Sequence, residues 1–184
     1  MDDVFLMVKD TSVSRFKTHM KIDEIQVSIP ANCDANVIRS FHTVIILISG
    51  DDIKMTFKSH FDSELAGYLC AKALKKESVS WDKAIDFMKE YSNVVAGKIK
   101  KFFMDQEVIV GLSLPIVTRG FDEIFFEPPE TGNVLIDNWI LSIESNHLYC
   151  TCIAEILNKN RIQSIKYPLE KQATDESDGE VSFL

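Results

Sequence analysis

The chain has 184 residues, 46% of them hydrophobic, and a formal net charge of −8. A chain of that length buries roughly 70% of the surface its unfolded form exposes, enough for one core. The acidic balance, with no long Lys/Arg run, excludes a nucleic-acid-binding face. No apolar stretch approaches the roughly 18 residues of a membrane span. The start MDDVFLMVKD lacks the basic region of a signal peptide, so the expected location is the cytoplasm. Glu170, Asp175, Glu176, Asp178 and Glu180 against Lys171 place much of the negative charge in the last residues. One domain over residues 1–168 and an acidic, disordered tail over 169–184 are expected.

In chain order, the first 35 residues offer only a short helix around Val13 to Met20. Ile25, Val27 and Ile29 alternate before Pro30 and predict a strand, followed by a loop over residues 31–40. A β-branched strand runs from Phe41 to Ser49. Gly50-Asp51-Asp52 turns it into a second strand in which Ile53, Met55 and Phe57 alternate. Asp62 or Ser63 caps a helix to about Lys76, with Leu65, Leu69 and Leu74 inward; Ser80 caps a longer one. Strands are predicted over 107–115 and 122–127, broken by Gly120 and by Pro128-Pro129, then a turn at Thr131-Gly132-Asn133. A last hairpin joins Val134–Ile143 to His147–Glu155 through Glu144-Ser145-Asn146. Hairpins outnumber βαβ crossovers, which predicts an α+β fold: a mostly antiparallel sheet with long helices packed on one side.

Cys33, Cys70, Cys150 and Cys152 form no CxxC pair and read as free thiols. His147 falls on the opposite strand face from Cys150 and Cys152, so these three make no metal site, and the two cysteines read as small buried apolar groups. No metal is expected.

The informative segment is Trp81 to Phe103. At 100° per residue, Trp81, Ala84, Ile85, Met88, Tyr91, Val95, Ile99 and Phe102 form one apolar stripe that faces the core. Asp86, Glu90, Asn93 and Gly97, at i, i+4, i+7 and i+11, line up on the other side. A glycine inside a helix costs about 1 kcal/mol relative to alanine. Close approach of a partner surface to the helix backbone at Gly97 would account for it. On spacing alone the four residues are an ordinary solvated face, since such patterns arise often in charged helices.

The wider sequence resembles the CheC/CheX family of chemotaxis phosphatases. That family's motif is an Asp or Ser, three residues, a Glu, two residues, an Asn and then a Pro about 22 residues on. Here Asp86-x3-Glu90-x2-Asn93 is followed by Pro115 within one residue of that spacing. EYSNVVAGKIK is similar to the family's helix with its glycine, and SLPIVTRG to its proline-containing strand. VIILISGDDIKMTFKSHFDSELAGYLCAKAL is similar to its hairpin and following helix. The resemblance covers residues 40–155. The chain departs from the family in lacking a clear first helix in residues 1–35 and in its tail.

The resemblance implies hydrolysis of the aspartyl phosphate on a CheY-like receiver domain of a two-component pathway. Asn93 has an amide that can orient the attacking water by donating and accepting at once. Glu90 pairs with the partner's lysine; a carboxylate beside phosphate is better suited to docking than to base catalysis. Asp86 either extends the contact or serves solubility, Gly97 admits the partner, and Pro115 shapes a strand end. The Mg2+ belongs to the phosphorylated partner, so no cofactor of the chain's own is implied. The helix over 62–76 holds no second Glu-x2-Asn, which is similar to the single-motif, homodimeric CheX members, and the Val134 to Glu155 region is a candidate dimer edge. The alternatives are a non-catalytic receiver-binding or signalling adaptor, in which the Asn93 amide has no purpose, and a flagellar-switch component. A classical hydrolase is disfavoured by the lack of a G-x-S-x-G elbow or an H-E-x-x-H helix.

Overall fold

Period-two alternation builds the sheet. In β2 (His42–Gly50) the residues Val44, Ile46 and Ile48 are fully buried, and in β3 (Ile53–Phe61) so are Ile53, Met55, Phe57 and Phe61. The two strands pair antiparallel from His42↔Phe61 to Ser49↔Lys54. β6 (Val134–Ile143) and β7 (Asn146–Ile156) form the second hairpin, turning at Glu144, whose φ is 54°. β7 joins β3, so two hairpins give a four-stranded centre. The computed structural model describes residues 2–30, 42–119 and 133–167. The predicted loop at 31–40, the strand at 122–127 with its breakers, Cys33 and the tail at 169–184 lie outside them.

Short strands complete the edges. β1 (Gln26–Ser28) pairs with β6 and is exposed throughout, so the alternation of Ile25, Val27 and Ile29 marks an edge strand. On the far side, β4 (Val110–Leu112) and β5 (Ile116–Arg119) both pair with β2. The strand predicted over 107–115 is therefore two pieces. Ile48 faces Leu112 and Ile45 faces Ile116, so Ser113, Leu114 and Pro115 stand opposite only Ile46 and Leu47. That is a β-bulge, with proline at the one place in an edge strand where a missing N–H costs no ladder bond. Ser113 holds the bulge by donating its N–H to the Leu47 carbonyl at 2.9 Å and accepting the Leu47 N–H on Oγ at 3.0 Å.

The helices α1 (Asp2–Met20), α2 (Ser63–Leu74) and α3 (Trp81–Asp105) cover one face of the sheet, and a short α4 (Lys159–Gln163) follows β7. Asp62 caps α2 by accepting from Leu65 N at 2.7 Å, and Ser80 caps α3. Each such cap is worth about 1 kcal/mol. α1 corrects the expectation of a short helix at 13–20: it is 19 residues long. Its inner stripe, Val4, Met7, Val8, Ser12, Arg15, Phe16 and Met20, contains two polar residues. They mask the helical period in the sequence. Ser12 belongs there because its Oγ accepts the Trp139 indole N–H at 2.8 Å and its carbonyl accepts the Tyr91 hydroxyl at 3.1 Å.

All three long helices stop the same way without glycine. Lys21, Lys75 and Glu107 take the left-handed conformation, with φ of 53°, 54° and 57°. In each case the next N–H reaches back five residues: Ile22 to Lys17, Lys76 to Ala71 and Val108 to Phe103. These are Schellman caps built on charged residues. Arg161 of α4 adds a second seal at the end of α3, donating to the carbonyls of Gln106 and Glu107.

Candidate functional site

The candidate site is the outward ridge of α3. Its buried residues, Ala84, Phe87, Met88, Tyr91, Ser92, Val95, Ala96, Ile99 and Phe103, cover about half the helix circumference, because α1, α2 and the sheet all pack against it. The inner stripe is therefore wider than the periodicity predicts. Three members of the predicted stripe are not fully buried: Trp81 is 37% exposed and meets the His42 ring at a tilt, while Ile85 and Phe102 are half-buried. Phe87, Ser92, Ala96 and Phe103 join it instead.

The outward ridge is where the sequence places it. Asp86 and Asn93 are exposed, and Glu90 and Gly97 are half-buried. Glu90 sits on the flank nearer α1, one turn from Phe87, against which the His19 ring stacks at 4.3 Å. Among the described residues neither the Glu90 carboxylate nor the Asn93 amide has a hydrogen bond or ion pair. Asp86 does have one, with Lys89 at 2.9 Å. A Cβ added at Gly97 would meet nothing within 4 Å, so the glycine answers to no contact within the described chain. Pro115 is not on this ridge; it lies in the bulge of the sheet edge.

A convex ridge suits a macromolecular partner, since small-molecule sites are concave. A groove of about 380 Å3 beside α2, lined by Gly67, Tyr68, Ala71, Lys72, Lys76 and Val79 among others, takes no residue from the ridge. Cys150 and Cys152 offer no footing for thiol chemistry: burial pushes both thiols up, far from thiolate at neutral pH, as a small apolar role requires. His147 is exposed on the other face of β7, as predicted. Among the described residues no group of three His, Cys, Asp or Glu side chains could hold a metal, and no helix is long and apolar enough to cross a membrane.

Solved structures share this fold. A CheC-like superfamily protein from Shewanella sp. PV-4 superposes with a TM-score of 0.64 at 17% identity, over 83% of this chain and 97% of that one. The complex of CheX with CheY, BeF3 and Mg2+ from Borrelia burgdorferi gives 0.63 at 14% identity, over 83% and 97%. The fold is CheX-like. Chemotaxis protein CheX from Vibrio vulnificus agrees, at 0.60 and 17% identity over 81% and 96%. No family model matches the sequence, and no curated protein does. The likeness is thus carried by the CheX-like architecture, and includes the antiparallel sheet with helices on one side that the alternation predicts.

What the sequence did not reveal is how the ridge is held. Tyr91 and Ser92, between Glu90 and Asn93, are both fully buried. Ser92 Oγ lies 2.9 Å from Ser59 Oγ on β3. A serine within an apolar stripe was the available signal.

Proposed function

We propose that this chain hydrolyses the aspartyl phosphate of a CheY-like receiver domain, acting as a protein phosphatase of two-component signalling. Asn93 and Glu90 are the residues that meet the partner's reacting centre. The Asn93 amide orients water in line with the phosphoryl group, accepting a hydrogen bond from it on Oδ1 while Nδ2 donates a hydrogen bond toward a phosphoryl oxygen. Glu90, about 4.5 Å along the helix by its rise, pairs with the partner's lysine and sets the docking angle. Asp86 extends the contact at one end. Gly97, about 6 Å beyond Asn93, lets the partner approach the helix backbone. The Mg2+ comes with the phosphorylated receiver, and the chain supplies no cofactor. Pro115 shapes the sheet edge and takes no part in the chemistry.

The observation that carries this reading is that Glu90 and Asn93 stand outward on one firmly packed helix with no partner among the described residues. Stability gains nothing from leaving both groups free, whereas positioning chemistry needs them free and rigid. The CheX–CheY complex among the structures with this fold supports a receiver as the partner. A cytoplasmic homodimer fits the same reading. Of the Val134 to Glu155 region, β7 lies inside the sheet and β1 covers β6 at Ile140–Ser142. Among the described residues, 134–139 is thus the stretch of it that offers an edge. A non-catalytic receiver-binding module is the second reading, since the Glu90 carboxylate, unpaired among the described residues, would serve docking without the Asn93 amide.

The test is the dephosphorylation rate of a CheY-like receiver, phosphorylated by a small phosphodonor with Mg2+. Acceleration by the wild-type chain that is lost in Asn93→Ala, while that variant still binds the receiver, supports catalysis. Binding without acceleration across several receivers turns the assignment to the adaptor.

A further inference from the structure

We infer that the two residues inside the Glu90-x2-Asn93 spacing are positioning residues: Tyr91 and Ser92 bolt α3 to two different elements and so fix the rotation at which Glu90 and Asn93 are presented. The inference rests on the proposed function for its consequence, but its structural half stands alone. Tyr91 donates its hydroxyl to the Ser12 carbonyl on α1 at 3.1 Å, and its ring meets Phe16 edge-on at 5.6 Å. Ser92 shares a hydrogen bond with Ser59 on β3 at 2.9 Å, and both serines have no exposed surface. One bolt runs sideways to the neighbouring helix and the other runs down to the sheet. They act at consecutive residues, directly behind the ridge.

Apolar packing alone holds a helix's rotation loosely, because the attraction between hydrocarbon surfaces is non-directional. Hydrogen bonds between buried groups are directional and costly to leave unmade. The difference matters here. Rotating α3 by about 20° would swing a side-chain tip about 6 Å from the helix axis through roughly 2 Å. Catalytic groups tolerate displacements of only about 0.5 Å. Valine or alanine at position 92 would fill the stripe; serine adds the directional contact at the one place where rotation counts. Lys9 of α1, paired with Asp137 of β6 at 3.2 Å, and the Trp139–Ser12 bond hold α1 itself to the sheet, so the sideways bolt ends on a fixed point.

The test uses Ser59, which lies on the sheet and away from the ridge. Ser59→Ala, Ser92→Ala and the double variant are compared in receiver dephosphorylation, in urea unfolding, and in amide NMR line widths over residues 86–97. Either single variant leaves one hydroxyl buried without its partner. The double variant leaves none, so its unfolding midpoint returns toward wild type. The expected result is a kcat about tenfold lower in all three variants with KM within twofold, and amide broadening that persists in the stable double variant. A kcat that recovers together with the midpoint in the double variant overturns the inference, since the bond would then serve stability alone. Should wild type dephosphorylate no receiver, the proposed function falls and the NMR decides by itself. Broadening in the double variant upholds the bolt, and wild-type line widths there overturn it.

Discussion

On the inner side of α3 the polar groups are partnered: Tyr91 with Ser12, Ser92 with Ser59, and the Phe87 carbonyl with His19 Nε2 at 3.2 Å. On the outer ridge, barely a helix diameter away, Glu90 and Asn93 have no partner among the described residues, and Asp86 has only the neighbouring Lys89. The same helix thus treats polar side chains in two opposite ways. Inside, a polar group without a partner costs about 1–3 kcal/mol, so each is paired. Outside, water satisfies the group at almost no cost, and it stays free for a partner. Outer substitutions should therefore touch the proposed chemistry and leave stability alone, whereas inner ones should touch stability first and the chemistry only through the rotation of α3.

The largest effect falls behind the inner side, at the β6 residue that anchors α1. Trp139→Ala removes a fully buried indole and leaves the Ser12 hydroxyl without its donor, and should cost about 3–5 kcal/mol in urea unfolding. Rate per folded molecule should fall less than in Asn93→Ala, as α1 and its hold on Tyr91 loosen. Asn93→Ala is the mirror image: a loss of about 100-fold in receiver dephosphorylation, the scale seen when one oriented amide is removed, with stability within about 0.5 kcal/mol. A large destabilisation by Asn93→Ala would break the separation. Tyr91→Phe keeps the ring and deletes the hydroxyl that reaches Ser12, so the expected cost is about 1 kcal/mol by denaturant midpoint.

Two smaller effects sharpen the comparison. Glu107→Gly relieves a left-handed residue at the end of α3 and should stabilise by about 1 kcal/mol. The Arg161 contacts to the Gln106 and Glu107 carbonyls would remain, because they use backbone oxygens. The last effect is acid sensitivity. Burial lowers the His19 pKa from 6.5, against a smaller opposing contribution from its bond to the Phe87 carbonyl. Burial also lowers that of His42, with Arg119 adding to it and Asp62 opposing. The unfolded chain therefore binds protons more readily, and stability is constant above about pH 6.5 and falls below it until the folded-state pKa values are passed. Urea midpoints taken from about pH 7 down to about pH 5 should show this slope, and His19→Gln should flatten it.

The sequence by itself determined the elements whose hydrophobic period is clean: the β2–β3 and β6–β7 hairpins, α2, α3 and the outward alignment of Asp86, Glu90, Asn93 and Gly97. Burial follows period wherever one face meets one neighbour. It failed where a polar residue is buried for a distant partner. α1 reads as irregular because Ser12 and Arg15 interrupt its stripe, and what makes Ser12 acceptable is Trp139, which lies 127 residues away. The bulge at Ser113–Pro115 was likewise invisible, since a register offset is a property of two strands. The ends of α2 and α3 fall within two residues of the sequence reading even though no glycine stops them. Only the tertiary structure decided how deeply α3 is embedded and which hydroxyls hold it, because a long-range hydrogen bond leaves no period in the chain that makes it.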